Sequence, residues 1–201
     1  MTAKISITDE QGDAFVRFDE FEDVVLALEL VAMLAKDVRE RPQLWKWIVT
    51  GMQNAMQGAM AVTLAGTDGC GALRHKSQLR NREWLNNITS ERPVRVMADY
   101  PTLLARAQNA ELMQGPPLAV SADELRTLER LNEVRREFAH FNPMGWSIGL
   151  NYLLNIMPVA LTAVAFLLQE RPLIHLSEGQ KTRISDALAT ARNSFAAFPR
   201  D

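Results

Sequence analysis

The feature that most constrains this chain is the apolar spacing between Leu125 and Phe141. Leu125, Leu128, Leu131, Val134, Phe138 and Phe141 recur at intervals of three and four, the repeat of one buried stripe on an α-helix and not of a strand. The start is well marked. Ser121 is a good N-cap, Asp123 and Glu124 load the first turn with negative charge, and Glu124 follows Ser121 at the spacing of a capping box. Asn142-Pro143 stops the helix, because the residue before a proline is pushed out of the α region. On a wheel turning about 100° per residue, Asn132, Arg136 and His140 share the side away from the stripe, with Arg135 at its flank.

Other segments carry the same period. A helix is expected from about Glu20 to Arg39, with Phe21, Val24, Val25, Leu28, Val31, Ala32 and Ala35 on one side. Its other side carries Glu22, Asp23, Glu29 and Asp37 and reads as a solvated face. Pro42 opens the next helix, which runs to about Leu64 and carries Trp45, Trp47, Met52, Met56 and Met60. Such a methionine stripe is either core filler, the commoner case, or a partner surface. Gly51 and Gly58 allow close helix approach. The run Gly66 to Gly71 is a loop led by a glycine C-cap; no strand precedes it and no Gly-Lys-Ser/Thr follows, as a phosphate loop requires. A long apolar helix begins at Trp146 or Ser147 and reaches about Gln169, with a kink expected at Pro158 and a break at Arg171-Pro172. Ser177 starts a last helix whose buried side is Ile184, Leu188, Ala191 and Phe195. Residues 1–19 form an N-terminal arm, where Ile5 and Ile7 alternate with polar residues in the manner of a small strand. Residues 66–118 read as inserted loops and short helices, one of them from Tyr100 to about Met113, closed by Gly115-Pro116-Pro117. The sum is one all-α domain spanning 1–201, a four- or five-helix up-and-down bundle with that insertion.

Composition narrows the partners. A net charge of −2 gives no bulk attraction to nucleic acid, so any such contact needs a local patch. The one basic cluster is Arg74, Lys76, Arg80 and Arg82, followed by Trp84. It is a weak RNA-binding patch or a solvated helix face, the latter being commoner. A lone Cys70 excludes an internal disulfide and a cysteine zinc cluster and suits a reducing, cytoplasmic setting. His175 sits in the turn before the last helix with no obvious carboxylate or cysteine partner, so no metal is expected, and no cofactor motif is present. Residues 1–23 carry repeated acids and lack the apolar core of a signal peptide. Ile148 to Leu168 is long enough to span a bilayer, but it holds Asn151, Asn155 and Pro158 and lacks flanking basic clusters. It reads as a core helix, with no membrane partner.

Arg135, four residues, then His140 resembles the Arg-x(4–6)-His signature of HEPN domains. Leu131 to Arg135, Phe138 to Phe141, Pro143 and Gly145-Trp146-Ser147 are similar to one bacterial branch of that superfamily, as are Asn54 to Gly58 with Gly66 to Gly69. The resemblance implies an all-α bundle, in agreement with the periodicity. It also implies metal-independent cleavage of RNA to 2′,3′-cyclic phosphate ends. Arg135 and His140 would then be catalytic: His140 as general base or acid, Arg135 stabilising charge on the phosphorane oxygens. Asn132, Arg136 and Trp146 would add ligand contacts. Arg136 is a departure, since a small polar residue commonly follows the motif arginine in active members. Five residues of straight helix put Arg135 and His140 about 140° apart. A site therefore needs the helix end to unwind, or two copies to pair, and the family's homodimers place two motifs in one cleft. An antitoxin or nucleotidyltransferase partner, as in toxin–antitoxin systems, would fit the same resemblance. Two other readings stay open: a non-catalytic RNA- or nucleotide-binding module, and a dimeric helical interaction protein. For His140 itself the alternative is a cap on the last helix carbonyls.

Overall fold

The computed structural model describes residues 6–7, 14–16, 18–140, 145–169, 171 and 174–199. Among the described residues seven α-helices form: α1 Glu20–Asp37, α2 Trp45–Leu64, α3 His75–Leu85, α4 Tyr100–Ala107, α5 Ala122–Ala139, α6 Leu150–Leu167 and α7 Glu178–Ala196. Five are long and two are short, so the architecture is an all-α bundle. Helix α1 packs on α2 and α7, α6 packs on α2, α5 and α7, and α5 also lies against α2. The short α3 and α4 occupy the expected insertion, and α4 rests on α2. The arm supplies a two-residue antiparallel pair, β1 Ser6–Ile7 with β2 Ala14–Phe15. Ile5, Phe141, Asn142, Pro143 and Pro172 lie outside the described residues.

Capping chemistry sets the helix starts. Ser121 and Ser177 each form a full capping box, with Glu124 and Gln180 respectively, and Asp19 and Asp99 cap α1 and α4. Pro42 opens one turn of 3-10 helix, Pro42–Leu44, ahead of α2. The end of α2 is closed by Gly66 in the left-handed conformation, φ 68°, as a glycine C-cap requires. Helix α4 stops at Ala107, short of Met113, because the Asn109 carboxamide accepts the Glu111 N–H in a local turn that competes with helix continuation. Helix α6 starts at Leu150, after the N-cap Gly149, and not at Trp146.

Met52, Met56 and Met60 are fully buried, so the methionine stripe is core. Trp45 stacks on Phe195 of α7 at 5.4 Å between centroids. A Cβ on Gly58 would sit 2.5 Å from a Val24 methyl, which is the close α1–α2 approach that glycine permits. Helix α6 is long and apolar enough to cross a membrane, yet its Leu153, Ile156, Met157, Ala160, Leu161 and Val164 are buried within the bundle.

One reading needs correction. The acidic side of α1 is not simply solvated. Arg183 of α7 grips Glu29 with two hydrogen bonds, 2.7 and 2.6 Å, and Glu22 with a third, 2.6 Å. The Arg183 bonds hold the Glu29 carboxyl below the usual range. Elsewhere Arg171 is buried at the end of α6. It donates to the Pro116 carbonyl at 2.9 Å and lies over the Phe166 ring, while its Nε and one Nη are buried with no hydrogen-bond partner among the described residues.

Two outcomes are expected in urea unfolding. Arg183→Met removes a forked ion-pair network and lowers stability by about 1 kcal/mol, and the double variant with Glu29→Gln costs less than the sum of the two singles. Arg171→Met replaces a partly unsatisfied buried cation with an apolar chain of similar length and leaves stability unchanged or raises it by roughly 1 kcal/mol.

Candidate functional site

Helix α5 brings several polar residues to its C-terminal end, where His140 is the C-cap. His140 has φ −106° and ψ 46°, outside the helical region, while its backbone N–H still bonds the Arg136 carbonyl at 3.0 Å. That bond keeps the helical register through His140, yet Arg135 reaches the same groove as the imidazole. Arg135, Arg136, His140 and Asn132 all line one groove of about 480 Å³. The imidazole makes no hydrogen bond to the last carbonyls of α5 among the described residues.

The groove has two further walls. Helix α2 contributes Gln53, Asn54 and Gln57. Gln53 is only 3% exposed, and its Nε2 donates to Gln57 Oε1 at 2.8 Å. The head of α4 contributes Asp99, Tyr100 and Pro101. Asp99 accepts the Thr102 N–H at 3.0 Å, and hydrogen bonds from the Thr102 hydroxyl and N–H hold its carboxyl low. Tyr100 is buried and donates its hydroxyl to the Leu128 carbonyl at 3.1 Å, which pins α4 against α5. Burial pushes the Tyr100 hydroxyl well above its ordinary range, so it stays a donor.

The electrostatics favour an anion. Two arginines and a histidine line the groove against one carboxylate, Asp99. Among the described residues neither Arg135 nor Arg136 has an ion-pair partner, and the half-buried Arg135 keeps its Nε dry and unbonded. A desolvated guanidinium without a carboxylate is suited to a phosphate or carboxylate ligand.

Trp146 is not part of this lining. Its ring packs on Phe138 at 5.0 Å, tilted 45°, so it supports the core side of α5. The five residues of the basic cluster separate. Arg74, Lys76 and Arg80 line a second groove of about 700 Å³, joined by Arg92, with Glu83 and Glu91 also on its rim. Arg82 turns away and pairs with Asp68 at 2.7 Å. Trp84 is half-buried, with the Arg92 guanidinium 5.4 Å above its ring.

The two grooves are neighbours. The 96–98 segment pairs with 72–74 through Arg74 N–H to Val96 and Ala98 N–H to Ala72, at 2.8 and 2.9 Å, and leads directly into Asp99. Arg74 is close enough to help lower the Asp99 carboxyl. Sequence reasoning missed Asp99, Gln53, Asn54, Gln57 and Arg92 as groove residues. The Asn54–Gln57 run was noted only for its resemblance, and Asp99 carried the signal of a helix cap. No cluster of three or more candidate metal ligands occurs among the described residues, and His175 lines a separate depression with Arg171 and Lys181. No protein-family model, no curated protein and no solved structure matches the chain.

The Arg82 pair generates a pH dependence. Burial raises the Asp68 carboxyl, but the Cys70 N–H at 2.7 Å and the Arg82 guanidinium outweigh it, and the net direction is down. A lowered folded-state value contributes stability above the unfolded carboxylate range and loses it as pH falls through the folded value. Asp68→Ala is therefore expected to cost about 1–2 kcal/mol at pH 7, with the difference from the parent shrinking on acidification, as followed by thermal melts across pH.

Proposed function

We propose that this chain is a metal-independent endoribonuclease of the HEPN type, working as a homodimer and leaving 2′,3′-cyclic phosphate ends. The observation that carries this reading is that Arg135 and His140, the two residues of the motif, line one groove with Asn132 and Arg136, while among the described residues neither arginine has an ion-pair partner. The adjoining groove with Arg74, Lys76, Arg80 and Arg92 offers a path for the flanking phosphates of a single strand.

In this reaction His140 takes the proton from a ribose 2′-OH as that oxygen forms a bond to phosphorus. Imidazole suits the task because one ring nitrogen can accept a proton while the other donates a hydrogen bond. The P–O5′ bond breaks, and the leaving 5′-oxygen receives a proton from an imidazolium, the partner copy's His140 in a dimeric cleft. Arg135 and Arg136 hold the non-bridging oxygens, whose charge grows in the transition state. Asn132 donates to the same phosphate. An antitoxin or nucleotidyltransferase partner would restrain such an activity in a cell, and a cytoplasmic setting would supply RNA.

The test is incubation of purified protein with mixed RNA in EDTA, with end-group analysis. Cyclic-phosphate ends are expected from the parent. His140→Ala, still folded by circular dichroism, should lose at least about a hundredfold in rate. Loss of RNA affinity with no product from either form would identify a binding module instead. Neither cleavage nor binding would leave a helical interaction protein.

A further inference from the structure

Burial and charge disagree at one residue far from the α5 groove. Arg171, just past the end of α6, is only 7% exposed. Its Nη1 donates to the Pro116 carbonyl at 2.9 Å, and its guanidinium carbon lies 5.1 Å from the centre of the Phe166 ring. Nε and Nη2 are buried and have no hydrogen-bond partner among the described residues. No carboxylate pairs with this cation among those residues either. Burial without a counter-charge pulls the guanidinium below its ordinary range.

The two orphaned donors form a pattern. In a guanidinium the Nε–H and one Nη2–H run parallel along a single edge. That edge is the fork that meets two oxygens of a carboxylate or a phosphate at once. Folding uses Nη1 and leaves this whole fork unused. A buried charged donor without an acceptor is costly, and an oxyanion is the partner that satisfies both donors together. Because the fork is shielded from water, a pair made there is weakly screened.

The surroundings agree in sign. Arg171 lines a depression of about 560 Å³ with Ile174, His175, Leu176, Ser177 and Lys181. Arg171 and Ile174 are buried and make its floor, and His175 and Ser177 are exposed at its rim. No carboxylate is among these lining residues. Lys181 adds a second cation, partly balanced by Glu178 at 3.0 Å. Helix α7 starts at the same rim. Ser177 is its N-cap, so the positive end of a 19-residue helix faces this neighbourhood.

We propose that this depression is an oxyanion site in which the Nε–Nη2 fork of Arg171 takes two oxygens of a phosphate group or a carboxylate. It shares no residue with the groove that holds Arg135 and His140, so it stands apart from the ribonuclease reading.

The experiment is titration of the intact protein with sodium phosphate and, separately, sodium acetate at constant ionic strength. Proton–nitrogen correlation spectra follow the arginine Nε–H groups and the backbone amides. Saturable shifts are expected at the Arg171 Nε–H and at the Ser177 and Gly179 amides with at least one anion, and the anion that saturates first names the ligand class. Arg171→Met should weaken the response at Ser177 and Gly179 about tenfold or more. Arg171→Lys keeps the charge without the fork and should lose most of the same affinity. No saturable shift at Arg171 with either anion overturns the proposal, as does an Arg171→Lys protein that binds as tightly as the parent. Phosphate shifts confined to Asn132, Arg135 and Arg136 would overturn it while leaving the α5 groove intact as an anion site. Shifts confined to Arg171 and the head of α7 would support it and count against that groove.

Discussion

Everything in this fold leans on the near-complete burial of α2. Of its residues only Trp47 and Asn54 are exposed. Helices α1, α4, α5 and α6 all pack against it, and its three methionines adapt to the irregular spaces those neighbours leave. A helix in that position has to be apolar nearly all round. The exceptions are informative for that reason. Gln53 is a polar side chain inside a core helix, and it stays there because Gln57 accepts its hydrogen bond. The groove opens where Asn54 brings α2 to the surface, beside the α4 cap and the C-terminal end of α5.

Much of the architecture was legible from spacing alone. The stripes of α5 and α7, the capping box at Ser121 and the glycine after α2 are local signals, and local physics decides them. The acidic side of α1 was not legible as a contact surface. Nothing near Glu22 or Glu29 in sequence announces Arg183, and only the closure of the bundle brings α7 alongside. The same limit applies to the groove. Asn132, Arg135, Arg136 and His140 sit on one helix and could be grouped from the sequence, whereas Asp99, Gln53 and Gln57 arrive from other helices.

Two expectations fared differently for identifiable reasons. The basic run from Arg74 to Trp84 looked like one patch because its charges are neighbours in sequence. On α3 they point in different directions, so Arg82 meets Asp68 while Arg74, Lys76 and Arg80 share another side. Trp146 looked like a ligand contact because it follows the motif closely. Its large ring instead packs on Phe138, supporting α5 from the core side.

The pairing of Arg183 with Glu22 and Glu29 spans 161 and 154 positions of the chain. One face of the first helix, beyond the one that packs on α2, thus finds its mate only when the seventh exists. During synthesis the face of α1 that awaits α7 stays unmet until nearly everything between has been made, and helices with nearer partners have already had time to dock. Completion of this bundle is a late event governed by contacts distant in sequence, and the interval before it is when the nascent chain exposes the surface most open to capture by chaperones or by another copy.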